Sequence, residues 1–173
     1  GLVDNKIFYE SHKLSKSIVK IISKIDGLVV INQYLNNLYK KSNIKQVLTA
    51  HDGVNIEEYK DISTYKFMPN KKQYTILYTG SLFSWKGVET LVDCMKYLPK
   101  NFNLVCIGGS GKYLSNFKSY TSKVLESSRI RVVAHMPKGG LLKYIEIADV
   151  LVLPNSAKDK MSLYTSPIKL FEY

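Results

Sequence analysis

Short apolar runs alternate with amphipathic stretches along this chain. The runs Lys6–Tyr9, Leu28–Ile31, Gln46–Ala50, Thr75–Thr79, Phe102–Ile107, Ile130–Ala134 and Asp149–Leu153 read as buried strands. Between them the apolar positions recur with helical spacing. Leu14–Ile25 places Ile18, Ile21, Ile22 and Ile25 on one face, and Trp85–Leu98 does the same with Val88, Leu91, Val92, Met95 and Leu98. Ser110–Ser128 and Gly139–Ala148 are two further helical stretches. Strand-helix alternation of this kind predicts an α/β fold, a parallel sheet covered by helices on both faces. The rhythm breaks at Asn55–Gln73, which is polar, contains Pro69 and lacks periodicity, so it reads as a connection between domains. Residues 1–54 are then expected to be the last part of one Rossmann-like domain, 55–73 the linker, and 74–173 most of a second.

Composition narrows the classes. The 173 residues are 45% hydrophobic, ordinary for a globular protein, and no apolar run approaches the length of a bilayer span. The sequence begins at Gly1 and stops just after a helix start, TSPIKLFEY, which gives the expectation of a piece of a longer protein. Cys94 and Cys106 fall in a predicted helix and a predicted buried strand, so core thiols are expected rather than a disulfide, in keeping with a reducing, cytoplasmic setting. The net charge of +11 raises nucleic acid or an anionic membrane as partners. Only Arg129 and Arg131 are arginines, and the lysines are scattered singly or in pairs. A solvated surface is the first reading, peripheral attraction to acidic lipid head groups the second, and nucleic acid is not expected.

Four stretches could carry chemistry. In YTGSLFSWKGVETL a strand runs into a turn at Gly80 and Ser81, and Lys86 follows near the start of a helix. Such a turn with a lysine suits an anion, and an ordinary strand-to-helix turn with a solvent lysine suits the same residues. The stretch is not a P-loop, because Trp85 stands where that pattern needs glycine. CIGGSGKYL repeats the strand, glycine turn and helix, but Leu114 replaces the third glycine of the dinucleotide fingerprint and no acidic residue ends the next strand. YESH delivers Glu10 and His12 at a strand end, where parallel sheets bind ligands; a surface histidine is the alternative. Thr165-Ser166-Pro167 supplies a hydroxyl cap and a proline for a helix N-terminus, whose free N–H groups suit a diphosphate. Ile168 and Lys169 follow, and Glu172 lies further along, as a ribose ligand or as a plain surface carboxylate. His12, His51 and His135 lack metal-ligand spacing, and no serine or cysteine nucleophile motif is present.

Taken in order, YESH, HDGVN (51–55), YTGSLFSWKG, CIGGSG, ADVLVLPNS (148–156) and TSPIKLFEY resemble the retaining glycosyltransferases of family 4. The resemblance covers nearly the whole chain and implies the GT-B architecture, two Rossmann-like domains facing each other across a cleft. It implies transfer of a hexosyl group from a nucleoside diphosphate sugar to the hydroxyl of a carbohydrate or lipid-linked acceptor, with retention, in surface polysaccharide or lipopolysaccharide assembly. No cofactor is implied beyond that donor substrate, and without an Asp-x-Asp motif no divalent ion is implied. By the same resemblance His12 lies near the transferred sugar and Lys86 contacts the diphosphate beside the turn at Gly80 and Ser81. The backbone of Ser166–Lys169, through Ile168, cradles the phosphates, and Glu172 holds the ribose. Two positions depart from the family. Ser81 stands where arginine is usual, and Tyr164 stands in place of the first glutamate of the paired motif. A nucleotide-sugar epimerase of the same architecture and a non-catalytic basic Rossmann-like module are the rival readings. These residues alone are expected to show no turnover.

Overall fold

The computed structural model describes residues 24, 26–41, 44, 46–59, 72–156 and 163–173. The expected strand Lys6–Tyr9, His12 and nearly all of the expected helix Leu14–Ile25 lie outside them. The chain divides into two compact units, Gly1–Gly53 with Lys160–Ile168, and Val54–Asp159 with Lys169–Tyr173. The division after Gly53 falls beside the expected start of the linker, whereas Lys160–Ile168 group with the first unit.

In the first unit, β1 (Leu28–Val30) pairs in parallel with β2 (Val47–Thr49), and α1 (Gln33–Lys40) connects them. Helix α1 starts where the Asn32 side chain accepts a hydrogen bond from the Leu35 N–H, satisfying one of the unpaired amides of a first turn. Its Asn36 is buried and donates to the Val47 carbonyl and to Thr49 Oγ1, a polar tie between helix and strand. Asn32 also donates to the carbonyls of Leu163 and Thr165, and Tyr34 meets Tyr164 edge to face with centroids 5.3 Å apart. Tyr164, the residue that departs from the paired-glutamate pattern, is therefore an aromatic contact of this unit.

The second unit is a four-stranded parallel sheet in the order β5-β4-β3-β6. Its strands are β3 (Tyr74–Thr79), β4 (Phe102–Ile107), β5 (Ile130–Val133) and β6 (Val150–Leu151). Helices α2 (Val88–Cys94), α3 (Gly111–Val124) and α4 (Lys138–Ile147) run between them. The alternating faces of β3 and β4 split the core in two. Ile76, Tyr78, Leu104 and Cys106 pack with Val88, Val92, Met95 and Phe117, while Leu77 and Ile107 pack on the other face with Ala148. The strand pattern read from the sequence agrees with these strands to within a residue or two at each end.

Two expectations are corrected. The helical pattern of Trp85–Leu98 is not one helix, because Gly87 adopts φ +73° and separates a 3₁₀ turn at Ser84–Lys86 from α2. Cys106 is a core thiol, fully buried, but Cys94 is exposed at the end of α2. Arg129 has a structural role: its guanidinium donates to the carbonyls of Leu98, Pro99 and Phe102. In the stretch read as a linker, Ile56–Tyr59 form a 3₁₀ turn. Lys138 at the start of α4 makes an ion pair with Glu58 and places its ammonium 4.4 Å from the centre of the Tyr59 ring.

The turns after β3 and β4 touch backbone to backbone at Gly80 and Gly108, and the Leu82 side chain packs on Gly109 beside them. Gly108 has φ +140°, and a Cβ there would lie 1.9 Å from the Gly80 carbonyl oxygen. Gly108→Ala should therefore cost about 2–3 kcal/mol in urea denaturation. Gly139→Ala, in open space within α4, should instead gain about 0.5 kcal/mol. Burial pushes the Cys106 thiol up to about 12, so alkylation of the native protein at neutral pH should label Cys94 and leave Cys106 unmodified by mass spectrometry.

Candidate functional site

The site residues of the second unit gather at the C-terminal end of β3, the end where parallel sheets present their ligand-binding loops. Gly80 follows the strand, and its N–H donates to the Ile107 carbonyl, so this amide is spent on the sheet. What glycine contributes is space. A Cβ at position 80 would lie 2.9 Å from the Tyr78 hydroxyl and 3.1 Å from Lys169 Cε. The Lys169 side chain thus runs directly over Gly80. The Tyr78 phenol donates to the Ser81 carbonyl at 2.7 Å, fixing the turn, and burial raises its pKa so that it stays a donor.

Lys86 ends the 3₁₀ turn that follows, its ammonium 4.1 Å from the centre of the Trp85 ring. Burial lowers its pKa from the ordinary lysine value, and the positive charge of Lys169 lowers it further. The sign is that of a cation held where it is disfavoured. The charged form weakens the fold below its folded pKa, and the cost is relieved as pH rises through it. Lys169 is itself partly neutralised, because its Nζ lies 3.3 Å from Glu172 Oε2 on the next turn of α5 (Ile168–Glu172).

The opposite end of α5 belongs to the first unit. There the Ile168 N–H donates to the Ser166 carbonyl at 3.0 Å, so that amide of the expected cradle already has an intramolecular partner. The second unit brings together Gly80, Ser81, Lys86, Lys169 and Glu172. Ser166 and Ile168 are described apart from them, and His12 lies outside the described residues.

Two contributors were not singled out from the sequence. Tyr173, four residues after Lys169, reaches Thr79: the Thr79 N–H donates to the Tyr173 hydroxyl at 3.2 Å, and Thr79 Oγ1 is 3.0 Å from it. The four-residue spacing was visible, but its partner at the end of β3 was not. Beside Lys86, the Phe83 ring stacks near Trp85 and meets Tyr113 edge to face at 4.9 Å, forming a partly exposed aromatic group at the same sheet end. Among the described residues no three His, Cys, Asp or Glu side chains are grouped to hold a metal ion, and no helix is long and apolar enough to cross a membrane.

The parallel sheet, its covering helices and the turns at its C-terminal edge define an α/β Rossmann domain of the GT-B kind. Residues 60–160 match the family described as glycosyl transferases group 1, and the chain belongs to that family. It is 28% identical over 142 residues to the uncharacterized glycosyltransferase MJ1069 of Methanocaldococcus jannaschii, covering 71% of this chain and 36% of that protein. The chain thus spans about a third of the length of this relative. Among solved structures, the fold resembles Anabaena Alr3699/HepE in complex with UDP and glucose, with 11% identity and a TM-score of 0.60. That likeness covers 79% of this chain and 41% of HepE. It also resembles the apo form of the lipopolysaccharide outer core galactosyltransferase WaaB, with 18% identity and a TM-score of 0.57, covering 80% of this chain and 39% of WaaB.

The like charge on Lys169 gives a direct check on the pair. In Lys169→Met the Lys86 ammonium should titrate at higher pH than in the parent, read from its ¹³Cε resonance. An unchanged midpoint would mean that the two side chains do not meet in solution.

Proposed function

We propose that the full-length protein is a retaining glycosyltransferase of family 4 with two Rossmann-like domains, moving a hexosyl group from a nucleoside diphosphate sugar to an acceptor hydroxyl. The observation that carries the reading is the lysine pair. Lys86 is partly desolvated and feels the like charge of Lys169 at the ligand-binding end of a parallel sheet, an arrangement that an entering anion relieves. A diphosphate fits that demand, and its negative charge grows as the glycosidic bond to the sugar breaks. Lys86 and Lys169 would stabilise the departing group more strongly in the transition state than in the ground state, which is the condition for catalysis.

Glu172, with its carboxylate anchored by Lys169, is the proposed acceptor of hydrogen bonds from the ribose hydroxyls. Gly80 leaves room for the lysine, and the Ser81 turn borders the phosphates, without the arginine that is usual in the family. Ser166 and Ile168 are proposed as the backbone side of the phosphate cradle, the Ile168 N–H exchanging its bond to the Ser166 carbonyl for one to the diphosphate, and His12 is proposed near the transferred sugar; both assignments rest on the sequence resemblance. UDP and glucose in HepE, and the lipopolysaccharide assignment of WaaB, support a nucleotide-sugar donor and a role in surface polysaccharide or lipopolysaccharide assembly. The basic balance of the chain fits work at the inner face of an anionic membrane.

The test is a titration of UDP, GDP and ADP against the full-length protein. One nucleotide should bind and raise the melting temperature. Lys86→Met should weaken it by about ten- to a hundredfold, the loss of a charge-assisted contact of about 1.5–3 kcal/mol, without lowering the unliganded melting temperature. Affinity should also fall with rising pH at a lower pH than an ordinary lysine would give, because the charged form of Lys86 is the binding form. Indifference to all three nucleotides, or a Lys86→Met protein that binds as the parent does, would overturn the reading. Free epimerised nucleotide sugar as the product would assign the protein to the epimerase class instead.

A further inference from the structure

Strand β3 pairs with β6 only at Ile76 and Leu77. The Val152 N–H donates to the Leu77 carbonyl on that edge, and the sheet ladder goes no further. Residues of like parity in a strand present their amides to the same neighbour, so the Thr79 N–H faces the β6 edge beyond the last rung. Thr79 is 1% exposed, and an amide buried there needs a partner. The Tyr173 hydroxyl supplies it, accepting from the Thr79 N–H and sharing a second hydrogen bond with Thr79 Oγ1. Burial raises the pKa of this phenol, so it stays neutral across the physiological range.

Helix α5 needs tertiary contacts to keep its place. It is five residues long, far below the length that stands alone in water. Its Leu170 and Phe171 are exposed. The side that meets the sheet carries Lys169 and Tyr173, which are four residues apart and joined by the backbone hydrogen bond from the Tyr173 N–H to the Lys169 carbonyl.

We infer that Tyr173 is a positioning residue: its hydroxyl caps the open amide of Thr79 and so holds Lys169 over Gly80, at the head of the turn that carries Lys86. The inference deepens the proposed function, since it assigns what sets the spacing of the lysine pair to which the diphosphate is assigned. The phenol touches neither donor nor reacting atoms. It acts through one helical turn.

The experiment compares Tyr173→Phe, Lys169→Met and the double variant in the full-length protein. The readouts are the titration of Lys86 by its ¹³Cε resonance and the affinity for whichever of UDP, GDP or ADP the parent binds. Tyr173→Phe should move the Lys86 midpoint upward, in the direction of Lys169→Met, and weaken the nucleotide by about five- to tenfold. In the Lys169→Met background the same substitution should change affinity by less than about twofold, because the residue through which it acts is gone. A Lys86 midpoint unchanged by Tyr173→Phe would overturn the inference. So would an equal fold-loss in both backgrounds, which marks a general loss of stability. If the parent binds none of the three nucleotides, the proposed function fails while the Lys86 titration still decides the role of Tyr173.

Discussion

Two turns meet backbone to backbone at Gly80 and Gly108 on the C-terminal edge of the sheet, and the positions of the candidate site follow from that contact. Because position 108 carries no Cβ, the turn after β4 closes onto the Gly80 carbonyl. Because position 80 carries none, the Lys169 stem can lie across the end of β3. A branched residue at either place would lift one layer off the other and separate the groups that now share a few ångströms. The glycines of the two strand-to-helix turns are thus spent on approach of protein to protein, at least as much as on approach of protein to ligand.

Charge at the site comes from side chains more than from helix ends. Helix α5 is too short to build a substantial dipole, and the Ile168 amide at its start is engaged by Ser166. The two ammonium groups carry the positive potential, with Glu172 offsetting part of it. This balance is instructive. A site with two lysines and no acid would repel itself strongly when empty, whereas one carboxylate leaves a net attraction for an anion and a defined position for Lys169. Trp85 serves a related end, giving the Lys86 ammonium a polarisable face on which to rest.

Much of this was legible in the sequence, for identifiable reasons. Buried parallel strands are nearly continuous apolar runs, so β3, β4 and β5 could be read directly, whereas the turn at Lys86 read equally as an ordinary turn with a solvent lysine until the family resemblance singled it out. Helix α1 was not read, because Gln33, Asn36, Asn37 and Lys40 interrupt its apolar positions. Its cap at Asn32 was the available signal. The Trp85–Leu98 pattern ran on through Gly87, since periodicity carries no information about a left-handed residue. Cys94 looked buried by helical position but lies at the end where α2 gives way to a 3₁₀ turn. Tyr173 was out of reach for a different reason. Its importance depends on where β6 stops pairing with β3, a fact of tertiary register that neither segment carries alone.

The clasp between Lys138, Glu58 and Tyr59 fastens the 3₁₀ turn at Ile56–Tyr59 to the opening turn of α4, 80 residues further along the chain. Both charged partners are about half exposed, so the bond is weak and screened by dissolved ions. The tether is therefore one that salt can loosen, so how firmly this turn is held against α4 becomes a property of the surrounding solution.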